Sequence, residues 1–298
     1  MPFDNLTRRA FHRLIAAGAA AACLPRVASA MTQQAEFPYR YVLGSCMYGT
    51  TPLAEILPEV KKSGATHLDV WPLRHGNQRE QIEEMGHETF RGMLDEHGVT
   101  VGVFTRYDLG PWKLNDEIAV AGDYGAELIV TGSGGPKDLT GAELKAAVKQ
   151  FVEKLGPTLD AAGERGITIG IENHGNALVA SPDSIRWFGE FAEGKPTGVA
   201  LAPYHLPQDT ELLAGLIDGL GDNLAHFYAW EHGMGCFEKL PKEQELMQMP
   251  GRGPLDFGPL MAALGRIDFQ GFVEVFMHPV PRGIPILDST SAVTAEIN

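Results

Sequence analysis

Cysteine, cationic charge and long apolar runs are all scarce in this chain. Its 298 residues include three cysteines. Once residues 1–30 are set aside only Cys46 and Cys236 remain, which allows one disulfide but no disulfide framework. Lys and Arg number 24 against 38 Asp and Glu, a formal charge of −14. That shortage of cations argues against nucleic acid and anionic membranes as partners, and against polyanionic substrates. Beyond residue 30 no apolar run is long enough to span a bilayer. No Gly-rich phosphate loop follows the first β-rich run, which argues against a doubly wound nucleotide-binding sheet.

What is present begins with an address. Thr7-Arg8-Arg9-Ala10-Phe11 is a twin-arginine motif, residues 14–24 form a short Ala-rich apolar stretch, and Ala28-Ser29-Ala30 is a small-residue cleavage site. That order of parts predicts a signal peptide over residues 1–30 and twin-arginine export to the periplasm, with residues 31–298 as the mature domain. The segment carries Arg8, Arg9, Arg13 and Arg26 against Asp4, so its removal takes the charge from −14 to −17. The 268 residues left suit one (β/α)₈ barrel.

From residue 41 onward, short β-rich runs alternate with amphipathic helical patterns. Strands are predicted at 41–44, 66–71, 100–105, 127–131, 168–173, 198–202, 225–230 and 272–277. Helices are predicted at 53–62, 78–97, 115–124, 141–165, 184–191, 210–220 and 257–264. Strict alternation implies parallel pairing through right-handed crossovers, and eight strands imply closure into an α/β (β/α)₈ TIM barrel. Thr140 with Glu143 reads as a capping box. Gly64, Gly98, Gly125 and Gly166 stand where helices stop before strands. Residues 231–254 are too long for a simple βα turn and are expected to form a lid or wall of the site. The tail from Val280 to Asn298 is short for a full eighth helix; it is expected to cap the barrel floor or to meet a second copy in a homo-oligomer.

The chemistry gathers at strand ends. In Ile167-Thr-Ile-Gly-Ile-Glu-Asn-His-Gly175 the isoleucines share one face, while Glu172 and His174 fall on the other, toward the barrel interior. A buried carboxylate is costly unless paired, hydrogen-bonded or metal-bound, so Glu172 is the first candidate for function. The same alternation turns Glu274, Phe276 and His278 inward on the last strand, and His226, Tyr228 and Trp230 inward on the seventh. His205 follows the sixth strand. Glu172, Glu274, Tyr228 and His174 are the candidate catalytic residues. Trp71, Arg106, Trp230 and His226 are candidate substrate contacts. Imidazoles and a carboxylate at one rim would suit Mn, Zn, Fe or Co.

Four motifs carry a family resemblance: Ile169-Gly-Ile-Glu-Asn-His174, Ala202-Pro-Tyr-His205, Pro250-Gly-Arg-Gly-Pro-Leu-Asp-Phe257 and Phe269-Gln-Gly-Phe-Val-Glu-Val-Phe-Met-His-Pro279. Together they resemble the xylose-isomerase-like TIM barrels of the sugar isomerase and epimerase superfamily. The resemblance implies a divalent metal held by Glu, Asp, His and Glu, with carboxylates moving protons between adjacent sugar carbons. Glu172 falls on the first ligand position, but the other three fall at Ala202, near Tyr228 and at Phe276. Either the metal has moved to Glu172, His205 and His278, or there is none. The leading expectation is an exported enzyme that takes a proton next to the carbonyl of a small-molecule sugar. A lyase or hydrolase for 3-keto-glycosides and a non-catalytic sugar-binding barrel are the alternatives.

Overall fold

The structure, a computed structural model, describes residues 40–298. The twin-arginine segment lies outside these. Eight parallel strands close into a barrel in sequence order: β1 Arg40–Gly44, β2 His67–Val70, β3 Thr100–Thr105, β4 Leu128–Gly132, β5 Thr168–Glu172, β6 Thr197–Leu201, β7 Leu224–Ala229 and β8 Phe272–Val275. Closure is completed by β1 pairing with β8. No helix among the described residues is long and apolar enough to cross a membrane.

The helices are α1 Leu53–Lys62, α2 Gln78–Met85, α3 His87–His97, α4 Asn115–Tyr124, α5 Gly141–Lys154, α6 Gly156–Glu164, α7 Pro182–Ala192, α8 Thr210–Leu220, α9 Lys242–Glu245, α10 Gly258–Arg266 and α11 Thr290–Ile297; all but the short α9, which lies in the segment after β7, belong to the outer ring. Ile169 and Ile171 of β5 turn outward and are fully buried. Each such burial stabilises the ring by about 1.5–3 kcal/mol.

Several local expectations change. The helix expected over 78–97 is two helices, because Gly86 adopts φ +87 and ψ 142, a region open essentially to glycine alone. The one expected over 141–165 breaks at Leu155, because Pro157 in the first turn of α6 cannot donate a backbone hydrogen bond to a continuing α5. Thr140 is the N-cap of α5 but its side chain makes no capping bond. The capping box forms instead at Ser181 and Ser184 on α7. The tail supplies an eighth-position helix after all: α11 packs on α1, where Thr294 Oγ1 donates to Glu59 Oε2 at 2.6 Å. Gly64, Gly98, Gly125 and Gly166 take the positive φ their positions before strands require. Cys46 and Cys236 are both free and buried.

The barrel interior is filled in layers, as in other closed parallel barrels. Phe272 plugs the lower end, where Gly102 leaves room for it: a Cβ there would lie 2.8 Å from Phe272 Cζ. One step up lie Asp69, His226 and Glu274, each fully buried. Above them, at the carboxyl ends of the strands, the interior opens into a cavity.

Candidate active site

The cavity has a volume of about 340 Å³. Its walls are aromatic. Trp71 stacks on Phe276 with ring centres 5.1 Å apart and 22° between planes. Trp230 stacks on Tyr204 at 3.9 Å and 11°. The long segment after β7 is a folded wall rather than a free flap. Gln248 Oε1 accepts a hydrogen bond from Trp230 Nε1 at 3.1 Å. Gln248's backbone carbonyl also accepts from Glu231 N at 3.0 Å.

Glu172, at the tip of β5, is the only carboxyl among the residues lining the cavity, and no Lys or Arg lines it. One of its oxygens, Oε2, accepts a short hydrogen bond from the Tyr107 hydroxyl. The other lies 3.8 Å from His205 Nε2. Burial raises the Glu172 pKa from its ordinary 4.5 to about 7, against the opposing effects of His174 and the Tyr107 hydroxyl. His174 packs its ring on His205 at 4.0 Å and directs Nδ1–H to the Gly175 carbonyl, 2.6 Å away. Burial drives the His205 pKa down to about 3, so the ring is neutral, and its Nε2 has no hydrogen-bond partner. Tyr228 also lines the cavity; its hydroxyl is buried and makes no hydrogen bond. Burial, with the negative charge of Glu274, Asp69 and Glu172, holds that phenol well above its ordinary pKa.

Thus Glu172, His174, Tyr228, Trp71, Trp230, His205 and His278 do meet around one space. Three expected site residues do not line it. Arg106 turns away from the interior to bond Asp108 and Glu117. His226 and Glu274 lie below the cavity, with His226 Nε2 3.1 Å from Glu274 Oε2. The reason for Arg106 is strand parity: Thr105 faces inward to Asp69, so Tyr107 shares its face and Arg106 takes the opposite one. The same rule would have found Tyr107 and Asp69 from sequence. His75 reaches the cavity from the loop after β2, and no local pattern announces it.

The metal trio does not assemble. His278 directs Nε2 toward Cys236 Sγ at 3.9 Å, away from a shared centre with Glu172 and His205. Among the described residues no three His, Cys, Asp or Glu side chains stand close enough together to hold a metal ion. The donors as arranged do not fit a chelated divalent ion.

The family model described as xylose isomerase-like TIM barrel matches residues 57–288, and the chain belongs to that family. Curated proteins yield no match. Among solved structures, the chain is similar to D-psicose 3-epimerase with D-tagatose from Clostridium cellulolyticum H10, at 16% identity and TM-score 0.63, over 87% of this chain and 95% of that one. It is similar to the IOLI protein with a binding zinc atom, at 15% identity and TM-score 0.65, over 86% and 95%. It is also similar to the probable 3-DHS dehydratase AsbF of Bacillus anthracis, at 13% identity and TM-score 0.62, over 87% and 97%. At these identities the likeness is one of fold.

Proposed function

We propose that this barrel is an epimerase- or isomerase-like enzyme that takes a proton from the carbon beside the carbonyl of an uncharged sugar or keto-sugar. The observation that carries the reading is Glu172, a lone carboxyl in an aromatic cavity with no cation on its walls. Its pKa of about 7 places it where a general base both holds and releases a proton near neutral pH. The Tyr107 hydroxyl fixes the carboxylate's orientation. Tyr228, an unpartnered neutral hydroxyl on the same cavity, donates to the developing enolate oxygen or returns the proton to carbon. His205 Nε2 is free to bond a sugar hydroxyl. The stacked aromatic walls offer flat surfaces for the C–H faces of a sugar ring. A wall without Lys or Arg gives a phosphate or carboxylate no anchor. The D-psicose epimerase of the same fold supports the sugar class.

A second reading is β-elimination from a 3-keto-glycoside. It is favoured by the presence of one carboxyl where two would serve a symmetric epimerisation, beside neutral imidazoles His205 and His278. Both reactions begin with the same proton abstraction. Solvent deuterium should enter the substrate carbon next to the carbonyl, and kcat/KM should rise with pH through about 7, because only the ionised form of Glu172 accepts a proton. Release of aglycone without an epimerised product would select the elimination. No exchange with any free or keto-sugar would leave a binding protein. Metal analysis of the purified protein is a further check: a stoichiometric ion would require Glu172, His205 and a third donor to rearrange.

Export rests on residues 1–30, and the proposal extends to it. Mature protein recovered from the periplasm is expected to begin at Met31, read by intact mass.

A further inference from the structure

The cavity floor and the layer beneath it hold more polar groups than they satisfy. Asp69 Oδ1, Trp71 Nε1, His226 Nδ1, Tyr228 OH and Glu274 Oε1 are all buried without a hydrogen-bond partner. Each such group ordinarily costs about 1–3 kcal/mol, so five together mark a place with a role other than packing. Asp69 and Glu274 are both fully buried and neither is paired with a Lys or Arg. Asp69 Oδ2 is satisfied by Thr105 Oγ1 at 2.7 Å, and Glu274 Oε2 by His226 Nε2 at 3.1 Å. That leaves Oδ1 and Oε1, one on each carboxyl, buried without a partner.

The backbone brings the two carboxyls to one place. Gly44 is in register with Asp69 across β1 and β2. A Cβ at Gly44 would lie 2.3 Å from Glu274 Oε1, so any larger residue would displace that oxygen. Tyr228 is in register with Glu274 across β7 and β8, with its side chain lining the cavity above. Two carboxylates beside one glycine, without a cation, cannot both be ionised in a dry interior. Trp71 Nε1–H and the Tyr228 hydroxyl are the unpartnered donors nearby, but neither relieves the repulsion between two charged carboxylates as a carboxylic acid O–H between them does.

We propose that Asp69 and Glu274 share a single proton beneath the cavity floor, and that the resulting single negative charge holds Tyr228 as a neutral hydroxyl donor toward the substrate. Asp69 and Glu274 are then positioning residues, acting through Tyr228 and touching no substrate. The other titratable groups facing the pair are Cys46, Glu172 and His226. Burial keeps the Cys46 thiol and the His226 ring neutral. The carboxyls themselves are both raised, chiefly by burial, Asp69 to about 7. The functional half of this proposal rests on the proton-abstraction reading; the shared proton does not.

The first measurement is therefore made on resting protein. In a Glu172→Gln background, which removes the cavity carboxyl, infrared spectra at about pH 8.5 should show the carbonyl band of a neutral carboxylic acid that shifts in D₂O, well above the ordinary carboxyl range. Adding Glu274→Gln should remove the band, because Asp69 then ionises with amide and hydroxyl donors around it. A missing band in the Glu172→Gln protein overturns the shared proton whether or not the second variant folds. A band that survives Asp69→Asn with Glu274→Gln overturns it too. The second measurement is the alkaline titration of tyrosine absorbance, with Tyr228→Phe identifying the Tyr228 component. Replacing both carboxyls with amides should move that component to lower pH by about one unit or more, since the negative charge below it is gone. An unmoved component overturns the role assigned toward Tyr228. Where exchange activity is found, the same double variant should lower kcat roughly 10–100-fold with KM little changed.

Discussion

Glu172→Gln is expected to abolish deuterium exchange into substrate while making the protein more stable above neutral pH. The amide cannot accept the substrate proton, so the loss should be roughly 10²–10⁴-fold in kcat. The stability effect follows from linkage. Glu172 titrates at about 7 in the fold against 4.5 ordinarily, so the native state holds its proton more tightly than the unfolded chain. That stabilisation is fully present below about pH 4.5 and is lost as pH rises through 7. The shift of about 2.5 units amounts to roughly 3 kcal/mol at pH 8, which glutamine avoids losing while still accepting the Tyr107 hydrogen bond. Denaturant unfolding of both proteins at pH 4 and pH 8 reads the difference. Equal stability at both pH values would mean that Glu172 is not a strained, buried base.

The second large effect lies away from the cavity. Arg79 and Arg106 both bond the buried carboxylate of Glu117, Arg79 through Nε at 2.8 Å. Glu117→Ala leaves two largely buried guanidinium groups with only Glu83 and Asp108 as partners, and should cost about 3 kcal/mol of stability. Arg106→Met keeps the Arg79–Glu117 pair and should be milder. Both variants should leave KM unchanged in whatever molecules remain folded. Arg106 was a candidate substrate contact on sequence grounds, and a KM raised several-fold in Arg106→Met would return it to the site. Urea unfolding beside steady-state kinetics on the same preparations separates the two outcomes.

The contrast between Glu172 and Arg106 shows how far strand pattern carries. Both are polar residues at the end of an apolar strand. For Glu172 the alternation with Ile169 and Ile171 states which face it occupies, and the structure places it there. Arg106 is one residue past a strand whose inward set includes Thr105, so parity turns its charge away from the interior. Glu274 and His226 had the right parity but the wrong height. Inward-facing residues two positions apart differ by a whole layer, and the depth at which the interior opens depends on what fills the lower layers. Phe272 fills the lowest, and the buried carboxyl pair lies between it and the cavity.

The metal expectation followed the same course. Sequence spacing put Glu172, His205 and His278 at one rim, and all three line the same cavity. Rim membership leaves side-chain direction open, and His278 turns toward Cys236, which lies on the long segment after β7 and bonds the Tyr204 hydroxyl. That segment spans 231–254, and its packing is a matter of nonlocal contacts that no periodicity encodes.

By itself, then, the sequence determined the eightfold alternation, the closed parallel barrel, the inward face of β5 and Glu172 at its tip. Each follows from local rules of period and turn that act over a few residues. The tertiary structure alone decided which inward residues lie above the floor and which below it. It also decided that Asp69 and Glu274, 205 positions apart in the chain, share one dry space. The physical reason is that the depth of a layer and the solvation of a carboxyl are set by the packing of all eight strands at once.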